Sequence, residues 1–321
     1  MMRQIALLLP LAVCLAGCGQ KQAVREERAV NAILKLGGKV TREEELPGQP
    51  VVGVNLTGIA VTDSDLKDLK ELKGLRWLHL SGTQVTDAGL ENLKELKELE
   101  LLSLCETRIT GAGVQHLKEL KGLYELNLNG AQITDAGLKD MKQLKGLHSL
   151  DLANTQITGA GLTQLRELKG LQELDLSDTQ MTDAGMENLR ELKGLRFLWL
   201  YETKITDAGL KDLKELKDLQ WLNLSLTHIT DSGVKHLVQL KGLQRLELVR
   251  TELTDASLKD LKQLKDLQSL TLSRTRITDT GLMELKELKG LEFLELYDTQ
   301  ITDAGLKDLK QALPKTKIEG P

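Results

Sequence analysis

The sequence predicts an α/β solenoid in which short parallel strands stack on one face and short helices on the other. Two observations predict it: a 24-residue period that runs without insertion from residue 51 to residue 321, and an L-x-x-L-x-L pattern at the head of each unit. One leucine slot marks the period: Leu78, Leu102, Leu126, Leu150, Leu174, Leu198, Leu222, Leu246, Leu270 and Leu294. Val54 precedes this series and Ile318 follows it. Residues 51–321 are therefore expected to form eleven 24-residue repeats and a terminal strand.

The elements of one unit can be justified on residues 195–218, LRFLWLYETKITDAGLKDLKELKD. Leu198 and Leu200 are two positions apart, so they point to one side of a short strand. A helix should begin at the Thr-Asp pair, where Thr206 or Asp207 can accept hydrogen bonds from first-turn amides. Its inward face is expected to be Leu210, Leu213 and Leu216.

The repeated unit resembles leucine-rich repeats. Its I-T-D-A-G-L segment, with threonine where many such repeats carry asparagine, is similar to the cysteine-containing or GALA-like type. The resemblance implies a right-handed horseshoe with strands on the concave face and helices on the convex face. The threonine hydroxyl is expected to bond the adjacent loop backbone.

The N-terminal residues indicate an export signal. Arg3 supplies a positive end, and the apolar run from residue 5 to residue 15 is shorter than the ~20 residues that span a bilayer. The run ends in Leu-Ala-Gly-Cys at residues 15–18, which resembles the lipobox of bacterial lipoproteins. The alternative is an ordinary secretory signal with an incidental cysteine.

The lipobox resemblance implies a signal peptide over residues 1–17, lipidation of Cys18 and a lipidated tether over residues 18–23. The protein would then be attached by acyl chains to a membrane outside the cytoplasm, in the cell envelope. Gly19, rather than aspartate, follows the cysteine. In Gram-negative lipoproteins this usually permits sorting to the outer membrane.

Residues 24–50 are predicted to be an N-terminal cap, which a solenoid needs because its first repeat would otherwise expose an apolar end. An amphipathic helix is expected from Val24 to Leu36, ended by the glycine pair at residues 37–38. A short strand and a turn should follow before the first repeat.

Composition limits the function classes. The 43 basic and 47 acidic residues give a net charge of -4, which offers no basic stripe for nucleic acid. Once Cys14 and Cys18 are assigned to the signal and the anchor, Cys105 has no intramolecular disulfide partner.

Aromatic residues make up only 2% of the chain, so their positions are informative. Phe197, Trp199 and Tyr201 lie in variable slots of one strand segment, and Trp221 lies on the next. None replaces a leucine of the frame, so we expect these four to form one outward patch. Exposed aromatic groups are typical of binding surfaces.

Charged residues flank this patch in the predicted sheet. Asp151, Glu173 and Asp175 precede it, and Arg245 follows it. The concave face is thus predicted to run from acidic through aromatic to mostly basic, and these eight residues are the candidate partner-binding site. The alternative is neutral drift on a solvated sheet.

Catalysis is not predicted. The histidines show no metal-ligand spacing, so no metal or other cofactor is expected. His79 and Ser103 share a slot on adjacent strands but lack a carboxylate to orient the imidazole. Asp151 and Asp175 resemble an acid/base or Ca²⁺-binding pair, yet they lie side by side on a shallow surface.

The sequence therefore predicts a membrane-anchored, extracytoplasmic binding protein that recognises a protein or peptide through its concave sheet. Two alternatives stay open. The aromatic patch could stack on a cell-wall glycan, or the repeats could act as an architectural spacer without a specific ligand.

Overall fold

The computed structural model describes residues 8–320, with side chains from residue 21 onward. Residues 1–7 of the predicted signal peptide lie outside the described residues, and so does the side chain of Cys18. Helix α1 spans Leu8–Lys35. Among the helices described, none has both the length and the apolar character needed to cross a membrane.

Helix α1 extends further toward the N-terminus than the sequence indicated. Residues 18–23, predicted as a polar tether, are helical and continuous with the predicted helix of the cap. Their composition explains this, because eight of the nine residues at 20–28 are glutamine, lysine, alanine, arginine or glutamate, which favour helices.

Residues 24–50 lie against the first repeat. Ala29, Val30 and Ile33 on α1 are buried in the same hydrophobic core as the repeats. After α1 ends, Gly37 takes the left-handed conformation with φ +92°, which glycine adopts without steric cost. The side chain of Arg42 then ties the following strand back to α1 by donating to a carboxylate oxygen of Glu26 at 3.3 Å.

The described residues form one sheet of thirteen strands in chain order. Strand β1 pairs antiparallel with β2, and every later neighbour is parallel and in register, as in Leu174↔Leu198↔Leu222. Strands β1 to β13 are Lys39–Arg42, Val51–Asn55, Trp77–His79, Leu101–Ser103, Glu125–Asn127, Ser149–Asp151, Glu173–Asp175, Phe197–Trp199, Trp221–Asn223, Arg245–Glu247, Ser269–Thr271, Phe293–Glu295 and Lys317–Glu319.

The opposite face consists of short helices of two kinds. Helices α2 to α9 are Asp87–Leu90, Gly111–Val114, Asp183–Leu189, Asp207–Leu210, Asp231–Leu237, Asp255–Leu261, Asp279–Leu285 and Asp303–Ala312. The 3₁₀ helices are Asp65–Glu71, Glu91–Leu93, Gln115–Glu119, Asp135–Gln143, Ala160–Glu167 and Lys211–Glu215. The apolar spacing i, i+3, i+6 fits a 3₁₀ helix, which has three residues per turn. The repeats with α-helices have the same spacing, so the spacing alone does not decide between the two kinds.

The leucine frame lies in the core as predicted. Leu198 and Leu200 of the strand segment have no exposed surface. The helix leucines of the same repeat, Leu210, Leu213 and Leu216, are equally buried. The predicted leucine-rich-repeat solenoid, with parallel strands on one face and helices on the other, is therefore confirmed.

The threonine slot also acts as predicted. In nine repeats its hydroxyl donates to the carbonyl oxygen three residues earlier, as from Thr203 to Leu200 at 2.7 Å. Each bond closes the turn that leaves the strand.

The Thr-Asp pair has a role that the sequence analysis did not foresee. Thr206 precedes α5 and caps it by accepting from the amide of Ala208 at 3.4 Å. Asp207 instead joins two repeats: Oδ1 accepts from the amide of Thr230 at 2.8 Å, and Oδ2 accepts from its hydroxyl at 2.6 Å. The same pairing starts from Asp63, Asp87, Asp135, Asp183, Asp231, Asp255 and Asp279. We call this series the Asp–Thr ladder.

The ladder also explains the glycine of the I-T-D-A-G-L segment. A Cβ atom at Gly233 would overlap Oδ1 of Asp207 from the preceding repeat. The ladder is interrupted where Gly111 and Gly159 replace the aspartate. At Gly111 a Cβ atom would collide with the backbone of Gly137 in the next repeat, so an aspartate does not fit there without rearrangement.

Leu198→Ala should lower the free energy of unfolding by ~2–5 kcal/mol, because it opens a cavity in a fully buried site. Trp199→Ala should cost about 0.5–1.5 kcal/mol, since it removes mainly ring–ring contacts. Urea denaturation of both variants measures the two losses. A larger loss at Trp199 than at Leu198 would contradict the assignment of the two faces.

Asp279→Asn should weaken the dependence of stability on acid pH. The hydroxyl and the amide of Thr302 donate to Asp279 and hold the pKa of its carboxyl below the ordinary value of 3.8. A carboxyl whose pKa is lowered by folding stabilises the fold above its unfolded pKa, and this contribution is lost as the pH falls through the folded pKa. The variant lacks this titration, so its urea midpoint should fall less between about pH 5 and about pH 2.

The matched control is Asp308→Asn, at an exposed side chain on α9. It should keep the pH dependence of the wild type. If the urea midpoint changes with pH equally in the wild type and both variants, Asp279 does not contribute to the acid sensitivity of the fold.

Candidate partner-binding surface

Three aromatic side chains form a cluster on the sheet face opposite the leucines. Phe197 and Trp199 project from β8, and Trp221 projects from β9 in register with Phe197. The ring centroids of Trp199 and Trp221 are 5.0 Å apart in an edge-on arrangement, and Phe197 lies 6.3 Å from each. All three are partly exposed. The structure thus brings these predicted residues together, and we call them the ring cluster.

Tyr201 lies apart from the ring cluster. It follows β8 in the turn before Glu202, and no ring contact with the cluster occurs in the described chain. Burial, followed by the charge of Glu202, raises the pKa of the Tyr201 phenol. The structure therefore brings three of the four predicted aromatic residues into ring contact, and the place of Tyr201 in the same patch stays a prediction.

Arg245 lies on the ring cluster rather than forming a free basic region. Its guanidinium carbon is 4.0 Å from the centroid of the Trp221 ring, and its Nε donates to Glu247 Oε1 at 2.8 Å. The indole N–H of Trp221 donates to the same carboxylate oxygen at 3.0 Å, and Asn223 donates to the other at 2.9 Å. Because Glu247 neutralises Arg245, the predicted basic end of the concave face is weaker than expected here.

Glu247 was not among the predicted binding residues, although it contacts three side chains at the edge of the ring cluster. It fixes Trp221, Asn223 and Arg245 at once, with only 16% of its side chain exposed. Its slot is the one that Asp175 and Trp199 occupy on earlier strands, so slot alignment could have placed it beside the ring cluster.

The predicted acidic residues meet next to Trp199. A shallow cavity of about 190 Å³ is lined by Glu125, Leu126, Asn127, Ser149, Leu150, Asp151, Glu173, Asp175 and Trp199. Asn127 donates to Asp151 at 2.9 Å, and Ser149 donates to Glu173 at 2.9 Å. We call this space the acidic pocket.

The acidic pocket carries uncompensated negative charge. Its four carboxylates, from Glu125, Asp151, Glu173 and Asp175, take part in none of the salt bridges found in the described residues. Burial, and to a smaller extent the charge of Asp175, raises the pKa of Asp151. Asp151 and Asp175 are directly paired neighbours on β6 and β7, so a cation bound there would relieve repulsion between them.

Other chemistry finds little support on this face. Over the described residues, no group of three or more histidine, cysteine, aspartate or glutamate side chains is arranged to hold a metal ion. The Ser103 hydroxyl lies 2.8 Å from the Ser81 hydroxyl, and His79 packs on Trp77 with ring centroids 5.5 Å apart. The arrangement can bind and orient a partner group.

Comparison with known proteins agrees with the fold. A family model described as Leucine Rich repeat matches residues 75–94, 123–141, 171–189, 217–238 and 263–286. The search of curated proteins found no match.

Among solved structures, an internalin from Listeria monocytogenes is similar at 22% identity, with a TM-score of 0.59 over 86% of this chain and 91% of the internalin. A leucine-rich-repeat protein from Leptospira interrogans is 26% identical, with a TM-score of 0.54 over 79% of this chain and 74% of its own. The mouse RP105/MD-1 complex contains a chain that is 20% identical, with a TM-score of 0.63 over 80% of this chain and 44% of that one. This protein therefore carries leucine-rich repeats and folds as a leucine-rich-repeat solenoid.

Proposed function

We propose that this protein is a lipid-anchored, extracytoplasmic binding protein that recognises a protein or peptide partner through its concave sheet and carries out no catalysis. The ring cluster is the observation that carries the proposal. Phe197, Trp199 and Trp221 stay partly exposed on a sheet whose opposite face is filled by leucines. Tryptophan is enriched among the residues that dominate binding energy at protein interfaces.

The side chains of the ring cluster are preorganised by contacts within the chain. Trp221 is fixed by its hydrogen bond to Glu247 and by the stacked Arg245, and its ring in turn packs against Trp199. Side chains that are already ordered lose less conformational entropy when a partner binds. Leucine-rich-repeat proteins commonly mediate protein–protein interaction, which supports a protein or peptide partner over the other ligand classes.

A pull-down from envelope extract tests the proposal. The Trp199→Ala/Trp221→Ala double variant should recover at least about tenfold less of a partner protein than the wild type, because hot-spot aromatics each contribute ≥ ~2 kcal/mol. The matched control is Trp77→Ala/Phe293→Ala, which removes two partly exposed aromatics far along the same sheet face. It should recover the partner as the wild type does.

Two results would contradict a protein partner. Equal recovery of every protein by the wild type and the Trp199/Trp221 variant would favour a spacer role. Retention on isolated cell wall that only this variant loses, without any protein recovered, would favour a glycan ligand.

The anchor is tested separately. Cys18→Ala should move the protein from the membrane fraction to the soluble fraction, because the acyl chains that the lipobox implies would have no attachment site. Fractionation followed by immunoblotting measures the shift. An unchanged distribution would refute the lipoprotein assignment and leave the concave surface to be judged on the pull-down alone.

A further inference from the structure

We infer that the partner presents a lysine or arginine side chain, which enters the acidic pocket and lies against Trp199. This inference rests on the proposed function, because it names the chemistry of the group that the concave surface would bind. It has three supports: an occupied counterpart on the same sheet, free acceptor atoms in the pocket, and charge without a counter-ion.

The counterpart is the arrangement around Trp221. There the chain itself places a guanidinium, that of Arg245, over an indole ring and against the carboxylate of Glu247. A cation over tryptophan gains electrostatic attraction from the ring, and a carboxylate beside it adds a charge-assisted hydrogen bond. One strand earlier, Trp199 lies in register with the carboxylate of Asp175 on β7. Ring and carboxylate are again adjacent, and in the described chain no lysine or arginine forms a salt bridge with that carboxylate.

The acceptor atoms of the pocket are only partly used. Both oxygens of Asp151 accept hydrogen bonds, from Asn127 and from the Ala153 amide. Asp175 accepts from the Ser177 amide through Oδ1 at 2.8 Å. Within the described residues its Oδ2 receives no hydrogen bond, and the same holds for the Glu125 carboxylate. These carboxylate oxygens can accept hydrogen bonds from a partner group rich in N–H donors, such as an ammonium or a guanidinium.

The shape and charge of the pocket favour a side chain over a bare ion or an anion. The described residues hold no arrangement suited to a metal ion, and the wall formed by Trp199 gives apolar contact to the methylene stem of lysine or arginine. An acidic partner segment would meet four like charges. Charge complementarity therefore selects a basic segment of the partner.

Synthetic peptides test this inference directly. Acetylated, amidated pentalysine and pentaarginine are titrated into the purified protein and followed by calorimetry and by tryptophan fluorescence, with pentaglutamate and pentaserine as comparisons. Wild type should bind the two basic peptides with a change in tryptophan emission and should not bind the others. Asp151→Asn/Asp175→Asn should weaken binding of the basic peptides at least about tenfold, because it removes the charges nearest the bound cation.

A control must separate the pocket from general attraction to a protein of net charge -4. Asp212→Asn/Asp308→Asn changes the net charge equally but on the helical face, and it should bind like the wild type. Trp199→Ala keeps the carboxylates and should also bind the basic peptides more weakly. Circular dichroism and thermal melting confirm that each variant is folded.

The inference is overturned if the wild type binds neither pentalysine nor pentaarginine. It is also overturned if Asp151→Asn/Asp175→Asn and Asp212→Asn/Asp308→Asn lose affinity for the basic peptides equally. Its failure can be told apart from failure of the proposed function. If Trp199→Ala/Trp221→Ala loses the partner in the pull-down while Asp151→Asn/Asp175→Asn recovers it fully, the concave surface binds a partner without using a basic side chain. If both variants recover it fully, the proposed function and the inference fall together.

Discussion

The Asp–Thr ladder fixes how neighbouring repeats sit on one another. In each rung one carboxylate accepts both the amide and the hydroxyl of a threonine in the next repeat, as Asp207 does with Thr230. Hydrogen bonds to a charged acceptor are shorter and stronger than those between neutral groups. In seven of the eight rungs a glycine such as Gly233 leaves space beside the aspartate, and in the rung from Asp231 to Thr254 a buried serine, Ser257, stands at that position. The aspartate and the threonine of each rung therefore serve the stacking of repeats, in addition to the leucines.

This commitment leaves the outward strand positions free to vary. Phe197, Trp199 and Trp221 replace smaller or charged residues of other repeats without disturbing the leucine between them, since Leu198 stays fully buried. In-register parallel pairing then brings side chains that lie 24 residues apart in the chain to neighbouring places on one surface. A binding surface can thus be assembled one strand at a time on a frame that does not change.

The sequence was sufficient for the elements whose position depends only on periodicity. The buried leucines, the threonine turns and the contact between Phe197 and Trp221 all follow from slot alignment. The sequence was insufficient where the hydrogen-bond and ion-pair partners of a side chain depend on its conformation. Slot alignment places Asp207 at the start of a helix. Whether its carboxylate accepts hydrogen bonds from Thr230 depends on how closely the helices of neighbouring repeats approach each other. Likewise, Arg245 was expected to add positive charge, and only its rotamer reveals that Glu247 and Trp221 hold it.

Nearly every repeat carries both halves of a rung, a threonine that meets the preceding aspartate and an aspartate that meets the following threonine. Any such repeat can therefore form the Asp–Thr rung with any other. Insertion or loss of whole 24-residue units between the N-terminal cap and β8 would move the ring cluster relative to the cap by one strand spacing of ~4.8 Å per unit. The units at Gly111 and Gly159 are exceptions, because each needs a close glycine partner in the next repeat, as Gly111 has in Gly137. The distance between the N-terminal cap and the ring cluster can thus change in fixed steps, by whole repeats, while the fold stays the same.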